Sequence, residues 1–248
     1  MNGTGADERP GYRRCILVVP EPGCVTALVE DDIHSMAVRL RHDGATVLAV
    51  EPVIDRMPWS TCPGSAAVLV ETFAGVALAE VTLRKERKSN CTHLHDMAVL
   101  AAAHAGDRAP IRFDIAASDP VAGRRELSLS RNGEPLLLWI EQDGVLVAPE
   151  DLVGRTLMTL RDWIATLPDA QAEAARLLQW GSLVAHGRTK PMAAQSDASQ
   201  MPANCYTFQP ERTSTARRVG QVIDFSAVPT PPGQVLTRML GIADKQLT

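Results

Sequence analysis

Glycine-bearing turns constrain this chain more than any other feature. Asn132-Gly133 and Asp143-Gly144 each stand between short apolar runs, and His42-Asp43-Gly44 does the same nearer the start. A tight two-residue hairpin turn needs positive φ at both central positions, a backbone state that Asn, Asp and Gly tolerate best. Such dipeptides therefore predict antiparallel pairing of the runs that flank them. The strands read this way are 12–20, a hairpin made of 33–40 and 46–53, and then 111–117, 126–130, 136–141 and 145–147.

Helical segments fill the remainder. Ser65 is placed to cap a helix over 66–73 that ends at Gly75, and Thr92 to cap one over 93–104 closed by Gly106. Residues 77–85 fit helix or strand equally. Asp151 opens a helix running to 167, broken by Pro168, and Asp169 opens another to about 186. Residues 187–204 lack apolar periodicity and predict an irregular, exposed loop. A short strand is expected over 205–208, followed by a basic run over 212–218 and a weakly helical tail. The fold class is α+β, with antiparallel strands and helices packed on one face. Its expected parts are a unit at 12–106, a β-hairpin and helical extension at 107–228, and a tail at 229–248.

Composition excludes several functions. With 248 residues and 45% hydrophobic content the chain can bury a core without disulfides or metal. A net charge of -4 and 4% aromatic content leave neither a basic footprint nor stacking platforms, so no nucleic-acid partner is expected. The longest apolar runs, 15–20 and 136–140, are far short of the ~18 residues that span a bilayer. The polar N-terminus lacks the basic start and apolar core of a secretory signal. A cytoplasmic location without a membrane partner is expected. The cysteines number five, an odd count that argues against a disulfide framework.

The residues that could carry chemistry are Cys62, Cys91, His34, His93 and His95. Thiolate and imidazole are the donors that zinc and iron select. Cys91 opens a helix, where the helix N-terminus favours thiolate, and Cys62 stands just before another. No CxxC pair is present. The bland alternative is two buried thiols with capping or surface histidines. Each helical residue turns by ~100°, which carries His95 back to the side of Cys91 and swings His93 away. The expected metal ligands are therefore Cys62, Cys91, His34 and His95, with His93 bracing the helix start. The expected catalytic groups are Cys91, His95 and Asp96. Arg39, Arg41 and Arg56 are candidates for holding a substrate carboxylate.

Three runs carry a resemblance. H-x-M-x-x-R-L-x-x-D at 34–43, M-P-W-x-x-C-P at 57–63 and N-C-T-H-L at 90–94 resemble the bacterial domain-of-unknown-function family numbered 2889, over roughly 25–105. Asn90 stands where that family usually has glycine. C-Y-x-F-Q-P at 205–210 is similar to the family's C-terminal portion. The resemblance implies positions rather than a reaction. More remotely, the order of hairpin, cysteine loop, helix and cysteine-led helix is similar to the U-type iron–sulfur scaffold and SufE-like proteins. That likeness implies Cys62 as first ligand and Cys91 as last, with no cysteine in 63–90 to supply the middle one.

The function expected is that of an enzyme acting on a small organic molecule through a Cys/His pocket. It would be a lyase or hydrolase, metal-dependent or cysteine-dependent, with zinc or iron as cofactor and a homodimer as the assembly. The alternative is an accessory protein for iron–sulfur clusters or for sulfur or metal transfer.

Overall fold

The computed structural model describes residues 9–188 and 190–242. Its strands are β1 (Gly11–Glu21), β2 (Cys24–Asp31), β3 (Ser35–His42), β4 (Val47–Arg56), β5 (Ile111–Ser118), β6 (Arg124–Arg131), β7 (Glu134–Gln142) and β8 (Val145–Ala148). They hydrogen-bond in the order β4-β3-β2-β1-β5-β6-β7-β8, an antiparallel sheet. The helices are α1 (Ser65–Phe73), α2 (Leu78–Val81), α3 (Thr92–Ala103), α4 (Arg161–Ile164), α5 (Asp169–Ala185), α6 (Pro210–Thr213) and α7 (Gln234–Met239).

The hairpin dipeptides behave as their chemistry dictates. Asn132 and Gly133 have φ of 51° and 82°, Asp143 and Gly144 of 52° and 84°, and they join β6 to β7 and β7 to β8. The β3–β4 turn closes differently. Asp43 Oδ1 accepts the Ala45 and Thr46 N–H groups at 2.9 and 2.8 Å, an Asx turn in which Gly44 takes φ 95°.

Strand β2 has no counterpart in the sequence reading. Every residue from Val25 to Asp31 is buried, so the segment has no polar alternation to betray it. Ser65 does not cap α1: it is the first helical residue, and its hydroxyl donates to the Cys62 carbonyl. Helix α3 starts one residue early, at Thr92, with Cys91 as its N-cap. The single helix expected to end at 167 is instead two 3₁₀ turns and the one-turn α4, because Gly154 takes φ 82° and Thr156 starts a new capped turn. In place of the strand expected over 205–208, Tyr206–Phe208 form a 3₁₀ turn with Cys205 as its N-cap. The described residues of 187–204 are irregular, with two 3₁₀ turns, and Ala198 among them is buried with Trp59, Cys62 and Ala216.

The chain divides into two compact units that interleave in sequence. One comprises 9–15, Phe113–Pro191 and Asp224–Pro232, the other Ile16–Arg112, Met192–Ile223 and 233–242. In the first unit α5 lies on β6 and β7. Gly181 permits close approach there, since a Cβ at this position would stand 2.9 Å from Ile115 Cγ2. In the second unit α3 packs on β2 and β3, and α1 on β4. Val25, Met36, Leu40, Phe73, Leu94 and Met97 are among its buried side chains. This packing brings the start of α3 against the turn that joins β2 to β3.

Candidate metal centre at the start of helix α3

The β2–β3 turn is built by a carboxylate. Asp31 Oδ1 accepts the backbone N–H groups of Ile33 and His34 at 2.8 and 2.7 Å, and the Asp31 N–H donates to the His34 carbonyl at 2.8 Å. The same oxygen lies 3.1 Å from His34 Nδ1. Asp31 is fully buried and His34 nearly so. A carboxylate removed from water needs partners of this kind to remain charged.

Helix α3 supplies the third group. His93, its second residue, stacks on His34 with ring centroids 3.8 Å apart and an interplanar angle of 26°. One ligand atom from each of Asp31, His34 and His93 lies within 4.8 Å of the others. A tetrahedral ion with bonds of about 2.1 Å keeps its ligand atoms about 3.4 Å apart. The 3.1 Å between Asp31 Oδ1 and His34 Nδ1 is close to that spacing. The donor set is two imidazoles and one carboxylate.

Cys91 is the extended N-cap of α3, with φ -63° and ψ 120°, and its carbonyl accepts the His95 N–H at 2.9 Å. His95 is buried against Phe73, with ring centroids 5.1 Å apart, and its Nδ1 stands 3.5 Å from Asp96 Oδ1. Asp96 is engaged by Arg87, whose Nε and Nη2 donate to both its oxygens. The structure therefore brings His34 together with His93 and leaves His95 and Asp96 apart from that pair.

The thiols are nearby but in a different state from the one a helix start suggests. Cys91 Sγ lies 4.0 Å from Met36 Sδ. Burial pushes the Cys91 thiol up to about 12, with the charge of Cys62 adding to the rise, and the His93 and Leu94 N–H groups do not offset it. Burial likewise raises Cys62, whose Sγ faces Thr207 Oγ1 at 3.6 Å. Desolvation, not the helix dipole, decides both.

The candidate arginines lie elsewhere. Arg41 pairs with Glu51 at 2.5 Å, Arg39 donates to Thr26 and to the Leu240 carbonyl, and Arg56 lies 3.4 Å from Glu30. Two residues of the cluster escaped the sequence reading. Asp31 carried no motif beyond standing in the acidic run 30–32 at the end of an apolar segment. His93 was singled out but turned away.

Residues 21–106 match a family described as "Protein of unknown function (DUF2889)". The matched span includes β2 to β4 and α1 to α3, and so Asp31, His34, Cys62, Cys91 and His93, but not Cys205. No curated protein matches the chain.

Proposed function

We propose that this chain binds one divalent transition-metal ion, zinc or ferrous iron, through Asp31, His34 and His93, and acts on a small organic molecule as a metal-dependent hydrolase or lyase. The observation that carries the reading is the approach of the three ligand atoms to within 4.8 Å of one another. Two imidazoles with one carboxylate suit either ion and leave coordination positions for water or substrate. Such an ion supplies Lewis acidity, polarising a carbonyl or lowering the pKa of bound water to about 7. Asp31 is held by two backbone N–H groups and the imidazoles by their mutual stacking, so the donors are positioned before any ion arrives.

Metal analysis of the purified chain, before and after chelation and reloading, tests this. One ion per chain is expected, lost on Asp31→Ala, His34→Ala or His93→Ala and kept on His95→Ala. Failure to take up zinc or ferrous iron, or undiminished uptake by His34→Ala and His93→Ala, overturns it. A second reading, an accessory protein for sulfur or metal transfer, is favoured by one observation, the third thiol that joins Cys62 and Cys91.

A further inference from the structure

Cys205 lies far along the chain from Cys62 and Cys91, yet its segment is fastened to both. The Tyr206 N–H donates to the Asn90 carbonyl at 2.8 Å, next to Cys91. Thr207 Oγ1 lies 3.6 Å from Cys62 Sγ and accepts from Thr61 Oγ1 at 3.1 Å. Gln209 Nε2 ties the strap down by donating to the carbonyls of Lys88 and Cys205 at 2.9 and 3.1 Å. Gly64 makes room for it, since a Cβ there would stand 2.4 Å from Tyr206 Oη. The two loops that present thiols are thus bridged by a third loop that presents another. Cys62 and Cys91 are buried, Cys205 is half-buried, and all three are free thiols.

We propose that Cys62, Cys91 and Cys205 are the thiolate ligands of an iron–sulfur cluster. Cysteine thiolates are the usual protein ligands of such clusters. The spread of the sulfurs separates a cluster from a single ion. Among the described residues, the group whose three ligand atoms all fall within 4.8 Å is Asp31, His34 and His93, so at least one pair of these sulfurs lies farther apart. One zinc ion would hold thiolates about 3.8 Å apart. A cluster tolerates wider spacing because each thiolate binds a different iron. Burial raises all three thiols, and Arg218 beside Cys62 and Arg87 beside Cys205 act against that rise. Three thiolates rather than four leave one iron position without a cysteine, open to exchange. The site uses none of Asp31, His34 and His93, so it stands or falls apart from the mononuclear centre.

Anaerobic reconstitution of the full chain with ferrous iron, sulfide and a thiol reductant tests the assignment. The expected product has a broad visible sulfide-to-iron band and about four iron and four acid-labile sulfide per chain. Cys62→Ser, Cys91→Ser and Cys205→Ser should each lose most of the sulfide and the band. Cys24→Ser, which alters a thiol at the start of β2, and His34→Ala should keep both. Cooperative thermal unfolding of each variant, with Cys205→Ala as a second form of the key substitution, separates lost ligation from lost folding. Full sulfide content in Cys205→Ser, or a wild-type chain that takes up metal without sulfide, overturns the assignment. Metal uptake that is lost in His34→Ala, with no sulfide in any sample, sinks the cluster while leaving the mononuclear centre standing.

Discussion

His95 is 3% exposed; its Nδ1 stands 3.5 Å from Asp96 Oδ1, while its Nε2 makes no hydrogen bond among the described residues. A buried polar group without a partner costs about 1–3 kcal/mol. Replacement by an apolar side chain of similar reach against Phe73 removes that penalty. His95→Leu also gives up the contact with Asp96, so stability should move by no more than about 2 kcal/mol, with metal content unchanged, as read by urea denaturation and metal analysis. A fall of several kcal/mol, or loss of the ion, would return His95 to the site. The same residue shows where sequence reasoning stopped. His34, Cys62 and Cys91 stand out as residue types, and all lie around the start of α3. That His93 rather than His95 meets His34 depends on how α3 docks on the β2–β3 turn, which no side-chain pattern reports. Asp31 acquires its role from the turn it builds, and three hydrogen bonds made after folding leave no trace in a motif.

Two close approaches decide how elements meet. At Gly64 the backbone is ordinary, φ -64°, so an alanine there would be unstrained but for Tyr206 Oη at 2.4 Å. Arg212 lies over the Tyr206 ring, its Cζ 3.9 Å from the centroid, which limits how the tyrosine can retreat. Gly64→Ala should destabilise by about 1–3 kcal/mol, and adding Tyr206→Phe should recover part of it. Chemical denaturation of the single and double variants measures this; equal losses in both would exclude the contact. Gly181 offers the complementary case. Glycine to alanine inside a helix normally stabilises by about 1 kcal/mol, but the Ile115 methyl at 2.9 Å opposes it. Gly181→Ala should be neutral or destabilising in the native chain but stabilising in an Ile115→Ala background, which removes that methyl, by thermal melts of the double-mutant cycle. At this scale the hairpins were legible because their turns are chemically specific. Strand β2 was not, because burial on both faces erases alternation, and the region 151–167 misled because one positive-φ glycine outweighs a good apolar face.

For the whole molecule, acid stability rests on paired carboxylates in both units. Burial pushes Asp96 up, and contacts with His95 and Arg87 more than offset it, leaving the carboxyl below its ordinary range. Asp224 is likewise lowered: partial burial opposes, and bonds from Arg188 and Ser226 prevail. A carboxylate with a depressed folded pKa stabilises the fold above its unfolded value of about 4, and that contribution is lost as pH falls through the folded value. The melting temperature should hold above about pH 5 and drop below about pH 4. Arg87→Met should shrink the drop. An unchanged acid limb in that variant would show that the pair is not coupled to folding. That 192–223 belong to the same unit as Ile16–Arg112 leaves no mark in the pattern of either segment.

That interleaving gives the chain a history as it is made. Cys62 and Cys91 leave the ribosome roughly a hundred residues ahead of Cys205, a delay on the order of ten seconds at typical elongation speed. During that interval the Thr207 contact to Cys62 and the Tyr206 bond to Asn90 do not yet exist. The Cys62 thiol therefore gains its hydroxyl neighbour only after most of the chain has been made.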